Sequence, residues 1–244
     1  MSNRAGMFYG VGVGPGQAKM LPVVALEALK KADVIIAPRA RSSEFSIARQ
    51  CLVDLDLDDS RFREVIFNMD PEREQIDAHY RDMAQSIVQD LQNGKSVAYL
   101  TIGDSLTYST YSYLLSAIQE LFPAVAYRTF PGITSYAAAA SMVDFPLGQG
   151  KERMLILPCP DDAAQLKGEI ETHDIVVLMK IGKRFADVMS LLKEMQIERH
   201  CAMVSRLGLS GEVVYSSLFD LVETESLGYL TTMLIRKTAL KEKV

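Results

Sequence analysis

The run Ser96-Val-Ala-Tyr-Leu-Thr-Ile102 and the segment behind it constrain this chain most. An apolar stretch of strand length leads into Gly103-Asp104-Ser105-Leu106-Thr107-Tyr108-Ser109-Thr110, and a helical pattern starts near Tyr111. A loop of small and hydroxylated residues, with one carboxylate, therefore lies at the carboxyl end of a buried strand. Strand and helix signals alternate in this way along all 244 residues, which makes the fold class α/β. Open α/β sheets bind ligands at the carboxyl ends of their strands. Backbone groups, hydroxyls and one anion suit a polar, partly cationic small molecule. A polyphosphate would be repelled by Asp104.

The first strand is Met7-Phe-Tyr-Gly-Val-Gly-Val13, broken by Gly14-Pro15-Gly16. A helix is expected over 22–31, with Pro22 tolerated in its first turn. A short strand over 33–37 is stopped by Pro38. Helices are expected over 45–55 and 71–92. In the second, Ile76, Tyr80, Met83, Ile87 and Leu91 recur at helical spacing. The strand 96–102 and a helix over 111–121 complete a first domain, 1–122, and Phe122-Pro123-Ala124 reads as a hinge. The second domain, 123–244, opens with a strand over 125–130 and Pro131-Gly132. A helix over 135–143 follows, with Thr134 as its N-cap. Strands over 153–157, 174–179 and 200–205, a helix over 185–195 and a closing strand over 230–236 complete it, before a frayed tail. A chain that is 48% hydrophobic can bury one large core or two medium ones.

Several chemistries are excluded by detail. The glycines of Gly10–Gly16 miss the dinucleotide template, because Pro15 and Gln17 occupy the positions where its last glycine belongs. Gly94-Lys95-Ser96 imitates the end of a phosphate-binding loop, but it precedes a strand and Gln89 replaces the first glycine. Three histidines and three cysteines show no metal-ligand spacing, and no G-x-S-x-G elbow anchors a hydrolase. No apolar run approaches membrane-span length, and the first residues show no secretory pattern. The odd cysteines Cys51, Cys159 and Cys201 suit a reducing cytoplasm. A net charge of −5 without a basic block argues against nucleic acid. Basic residues gather after two strands, Arg39, Arg41 and Arg49 in one group and Lys180, Lys183 and Arg184 in the other. They are either a solvated surface or a cradle for a polycarboxylate.

The ordered set Gly10–Gly16, Ala32-Asp33-Val34-Ile35, Gly103-Asp104, Tyr108-Ser109-Thr110, Pro131-Gly132-Ile133-Thr134-Ser135 and Val177-Leu178-Met179-Lys180 resembles the tetrapyrrole methylases. These enzymes use S-adenosylmethionine in corrin and siroheme synthesis. The resemblance runs from about Met7 to about Arg236. Pro38-Arg39-Ala40-Arg41, Tyr108–Leu114, Asp144-Phe145-Pro146-Leu147 and Tyr229-Leu230-Thr231 look most like the members that methylate C20 of precorrin-2 or cobalt-factor II. One residue departs: the usual Gly-Asp-Pro is here Gly103-Asp104-Ser105. Proline would fix φ and remove an N–H, whereas serine keeps the N–H and adds a hydroxyl.

The resemblance implies two α/β domains with S-adenosylmethionine folded into the cleft between them. It places Pro15, Gly103, Asp104 and Thr107 against the cofactor from the first domain, and Thr134 and Ser135 at the junction. From the second domain it places Met179, Leu207 and Thr232. It puts the tetrapyrrole, with or without cobalt, near Arg39, Arg41 and Tyr108. It implies a homodimer and assigns no catalytic base; with the spacing, hydropathy and charge read above, no resident metal and no membrane or nucleic-acid partner is expected. The rival readings are methylation at another ring carbon, a non-catalytic tetrapyrrole or adenosine binder, and a nicotinamide oxidoreductase.

Overall fold

The computed structural model describes residues 5–41, 43–67, 73–219, 221 and 225–239. The chain divides into two compact units, Met1–Thr134 and Ser135–Val244. The division falls later than the hinge expected at 122–124. The strand after that hinge pairs with the first strand of the chain, so it belongs to the first unit.

In the first unit β1 (Met7–Gly12), β2 (Val34–Ala40), β3 (Phe62–Phe67), β4 (Val97–Thr101) and β5 (Ala126–Phe130) form an all-parallel sheet in the order β3-β2-β4-β1-β5. Its inner strands read as continuous apolar runs because both faces are covered. Phe8, Val34, Ile36, Val97 and Tyr99 face α3 (Arg73–Gln92) and α4 (Tyr111–Leu121). The alternate residues Val11, Ile35, Ala37, Ala98 and Leu100 face α1 (Val23–Lys31) and the segment of α2 (Ile47–Gln50). Tyr80, Met83, Ile87 and Leu91 are buried as their spacing predicts, while the side chain of Ile76 lies outside the described residues. Gly10 makes room for the Tyr111 ring, which a Cβ there would meet at 2.1 Å. That ring stacks between Phe8 and Tyr99.

Two expectations are corrected here, and one strand is added. Pro38 does not stop β2. Pairing with β4 ends at Ile36, and β2 runs on to Ala40 beside β3 alone, so proline's missing N–H breaks no ladder. The helix expected over 45–55 shrinks to the four residues of α2, capped by Ser46, whose hydroxyl accepts from the Arg49 N–H. β3 was not foreseen, because Arg63 and Glu64 interrupt its apolar pattern at the sheet edge.

The second unit contains α5 (Ser135–Met142), β6 (Met154–Pro158), α6 (Ala163–Thr172), β7 (Ile175–Met179), α7 (Phe185–Glu194), β8 (Cys201–Ser205), β9 (Val213–Tyr215) and β10 (Thr231–Arg236). Its sheet is mixed, in the order β6-β7-β10-β8-β9, with β10 antiparallel to both neighbours. The last strand is thus central instead of closing an edge, and every residue of β10 is buried. Leu166 and Ile170 of α6 and Phe185, Val188 and Leu192 of α7 pack on Val176, Leu178, Met203, Met233 and Ile235. Arg236, itself buried, ends β10 in an ion pair with the half-buried Glu152 and donates to the Pro146 carbonyl at 2.9 Å. That pairing satisfies a charge that burial alone would make costly. The helix α6 and strand β9 were not foreseen. Asp162, which accepts from the Ala164 N–H as the N-cap of α6, was a legible signal for the first.

Candidate functional site

The first unit's candidate site is built from the loops that leave β1, β4 and β5, three neighbouring strands. Gly14 and Gly103 form an isolated antiparallel bridge, with Gly103 N donating to Gly14 O at 2.7 Å and Gly14 N to Gly103 O at 3.2 Å. Both have positive φ, +84° and +72°, which glycine adopts without steric cost. Gly132 closes the group from the end of β5. A Cβ on it would lie 2.0 Å from Gly103 O and 2.7 Å from Gly12 C. The junction is therefore backbone against backbone, with no room for a side chain. Pro15 is buried beside it, and Thr134 is half-buried.

Asp104 organises this junction. Its Oδ1 accepts from Leu106 N (2.9 Å), Thr107 N (3.0 Å) and the Thr107 hydroxyl (3.0 Å). Its Oδ2 accepts from Gly132 N at 3.1 Å. The first set is an Asx-type turn, in which a short carboxylate replaces a backbone acceptor. Burial pushes the Asp104 carboxyl upward. The hydrogen bonds from Leu106, Gly132 and Thr107 together outweigh it and hold the group below the usual carboxylate value. Asp104 is thus an anion at neutral pH. Oδ1 takes three hydrogen bonds and Oδ2 one, so Oδ2 is the less engaged oxygen among the described residues. Tyr108 lies further along the same loop, 43% exposed and at φ +52°, a strained conformation for a bulky residue.

The arginines divide. Arg39 in β2 pairs with Glu64 of β3 at 3.3 Å and donates to the Ser43 carbonyl. Glu64 also pairs with Arg49, which reaches Asp59 at 2.9 Å. Arg41, one residue past β2, is exposed and has no ion pair among the described residues. Two of the three clustered arginines are therefore held by carboxylates of their own chain, and Arg41 is open to an external one. In the second basic group one arginine is held as well. Arg184 donates to the Lys180 and Ile181 carbonyls and pairs with Asp161, so it fastens its own loop.

In the second unit Thr232 Oγ1 donates to Ser135 Oγ at 3.0 Å and ties the start of α5 to β10. Met179 ends β7, half-buried, and Leu207 follows β8, buried. Three non-glycine residues with positive φ lie at that end of the sheet, namely Lys180 after β7, Arg206 after β8 and Leu230 before β10. Arg206 N donates to Leu230 O at 3.0 Å. The residues foreseen in this unit thus share one end of the sheet, where the backbone is strained.

The family model for tetrapyrrole (corrin/porphyrin) methylases matches residues 7–222. The chain belongs to the tetrapyrrole methylase family. It is similar to the cobalt-precorrin-2 C(20)-methyltransferase of Salmonella typhimurium, with 28% identity over 95% of this chain and 97% of that protein. It is likewise similar to the probable cobalt-precorrin-2 C(20)-methyltransferase of Methanocaldococcus jannaschii, with 31% identity over 94% of this chain and 95% of that one. Its fold matches the X-ray structure of a cobalt precorrin-4 methyltransferase at a TM-score of 0.70, with 16% identity over 94% of each chain.

The junction of this tetrapyrrole methylase suits the methyl donor its family implies. Asp104 holds a fixed negative charge at this junction, with Oδ2 its less engaged oxygen. Sequence reasoning named Gly103, Asp104 and Thr107 as site candidates and did not name Gly132 as one, because its place at the junction depends on contacts with residues distant in the chain. It missed the engagement of Arg39 as well, because Glu64 lies on the unforeseen β3.

Proposed function

We propose that this tetrapyrrole methylase transfers the methyl group of S-adenosylmethionine to C20 of precorrin-2, or of its cobalt-bearing counterpart, in cobalamin biosynthesis. What carries this reading is the end-to-end similarity to two proteins named for that position. When bound, S-adenosylmethionine supplies an electrophilic methyl on sulfur. The chain's own task is then to bind and to align. Holding a nucleophilic carbon in line with the S–CH3 bond can supply ~7–11 kcal/mol of the barrier. No general base is assigned.

In the first unit Pro15, Gly103, Asp104, Thr107 and Thr134 are the candidates for cofactor contact, with Asp104 Oδ2 as the anionic acceptor. In the second unit they are Ser135, Met179, Leu207 and Thr232. For the tetrapyrrole the candidates are Arg41, Tyr108 and, through a guanidinium already half committed to Glu64, Arg39. The same reading includes a cytoplasmic homodimer that works on a small molecule and needs neither nucleic acid nor membrane.

Two measurements test this. S-adenosylhomocysteine at a hundredfold excess over Kd is expected to stabilise the protein by about 2.7 kcal/mol. NAD is expected to have no effect, and stabilisation by NAD alone would restore the oxidoreductase reading. Anaerobic incubation with S-adenosylmethionine and either cobalt-sirohydrochlorin or precorrin-2 is expected to add one methyl mass, and the ring that reacts identifies the substrate. Bound S-adenosylhomocysteine without methylation of either ring would favour a non-catalytic binder.

The arginines give a further expectation. Arg41→Ala is expected to raise the KM for the ring roughly tenfold to a hundredfold with kcat little changed, since one charged hydrogen bond is worth ~1.5–3 kcal/mol. Arg39→Ala is expected to lower the melting temperature as well, because it also removes one of the two arginine partners of Glu64 and a donor to the Ser43 carbonyl. A fall in kcat alone for Arg41→Ala would remove it from ground-state binding.

A further inference from the structure

Ser105 is fully buried in a loop whose neighbours Asp104 and Leu106 are half-buried and exposed. Its hydroxyl donates to the Phe130 carbonyl at 2.8 Å. Thr101 Oγ1 lies 3.4 Å from Ser105 Oγ and 3.3 Å from the Val11 carbonyl. One short chain of hydroxyls thus joins the carboxyl ends of β1, β4 and β5. The preceding residue, Asp104, takes the Gly132 N–H. Two consecutive residues fasten the loop to Phe130-Pro131-Gly132 at two points.

We infer that Ser105 is a positioning residue for cofactor binding, whose hydroxyl holds Gly103 and Asp104 in the arrangement the methyl donor requires. This rests on the methyltransferase reading above. The loop contains Tyr108 at φ +52°, a conformation that a bulky residue does not adopt by local preference. A proline at 105 would fix one φ covalently. Serine does not, so the fixed shape comes from hydrogen bonds to β5. A loop that holds the competent shape only part of the time binds with Kd raised by the inverse of that fraction.

Ser105→Ala separates this role from mere packing. Losing the hydroxyl removes a buried hydrogen bond to the Phe130 carbonyl, so the melting temperature falls under either account. Under this one, the Kd for S-adenosylhomocysteine, measured by calorimetry well below the melting temperature, rises about tenfold, and the KM for S-adenosylmethionine rises with it. Ser105→Cys keeps a weak donor and gives an intermediate Kd. It carries the test if the alanine variant does not fold. A lowered melting temperature with Kd within twofold of the wild type in the folded variant would overturn the inference alone. A wild-type protein that binds no S-adenosylhomocysteine would overturn the methyltransferase reading and this inference with it.

Discussion

Gly132→Ala is expected to cost about 3 kcal/mol of stability or more, and to abolish measurable binding of S-adenosylhomocysteine. The added Cβ would sit 2.0 Å from Gly103 O and 2.9 Å from Gly12 Cα. Both are backbone atoms, so no rotamer change relieves the overlap. Either β5 or the Gly-Asp loop must move, and both the Asp104–Gly132 and Ser105–Phe130 bonds depend on their spacing. Thermal unfolding should show a fall of roughly 10 °C. Gly168→Ala is the internal control. Gly168 lies exposed inside α6, and a Cβ added there would meet nothing within 4 Å, so alanine is expected to raise stability by up to about 1 kcal/mol. Equal losses at both positions would contradict the close-contact account of Gly132.

Asp104→Ala is expected to weaken S-adenosylhomocysteine binding by about 1.5–3 kcal/mol, roughly tenfold to a hundredfold in Kd. The substitution removes the anionic Oδ2, the less engaged oxygen of the carboxylate. It also releases the Leu106, Thr107 and Gly132 donors that shape the loop. Asp104→Asn keeps the size, loses the charge and exposes a pH signature. The Asp104 carboxyl lies below its ordinary value in the folded protein. Its contribution to stability is therefore complete above the unfolded-state value of ~3.9 and is lost as pH falls through the folded-state value. Denaturant titrations should show a constant gap between wild type and Asp104→Asn from about pH 7 to about pH 5, narrowing below about pH 4. A gap that widens on acidification would mean that the carboxyl is not stabilised as an anion.

Much of the first sheet was legible in the sequence because each inner strand is buried on both faces. Val97-Ala98-Tyr99-Leu100 is apolar throughout and splits cleanly between two helical layers. What escaped was structure determined by position. β3 carries Arg63 and Glu64 because it lies at the sheet edge, and Pro38 is harmless because β4 no longer pairs there. The site was half legible. Gly103, Asp104 and Thr107 announce themselves by following a buried strand. The bonds from Asp104 to Gly132 and from Ser105 to Phe130 span 28 and 25 residues of chain, and no local pattern encodes them. Ser105 stood out in the sequence only as a departure from proline, and its burial supplies the reason a hydroxyl serves there.

The central claim is the ring position that receives the methyl group. The most direct measurement uses S-adenosylmethionine carrying a 13C-labelled methyl, with cobalt-sirohydrochlorin or precorrin-2 under anaerobic conditions, and locates the label in the product by NMR. A single labelled methyl on C20 is the result expected. A label on any other ring carbon would contradict the proposed function while leaving the family intact.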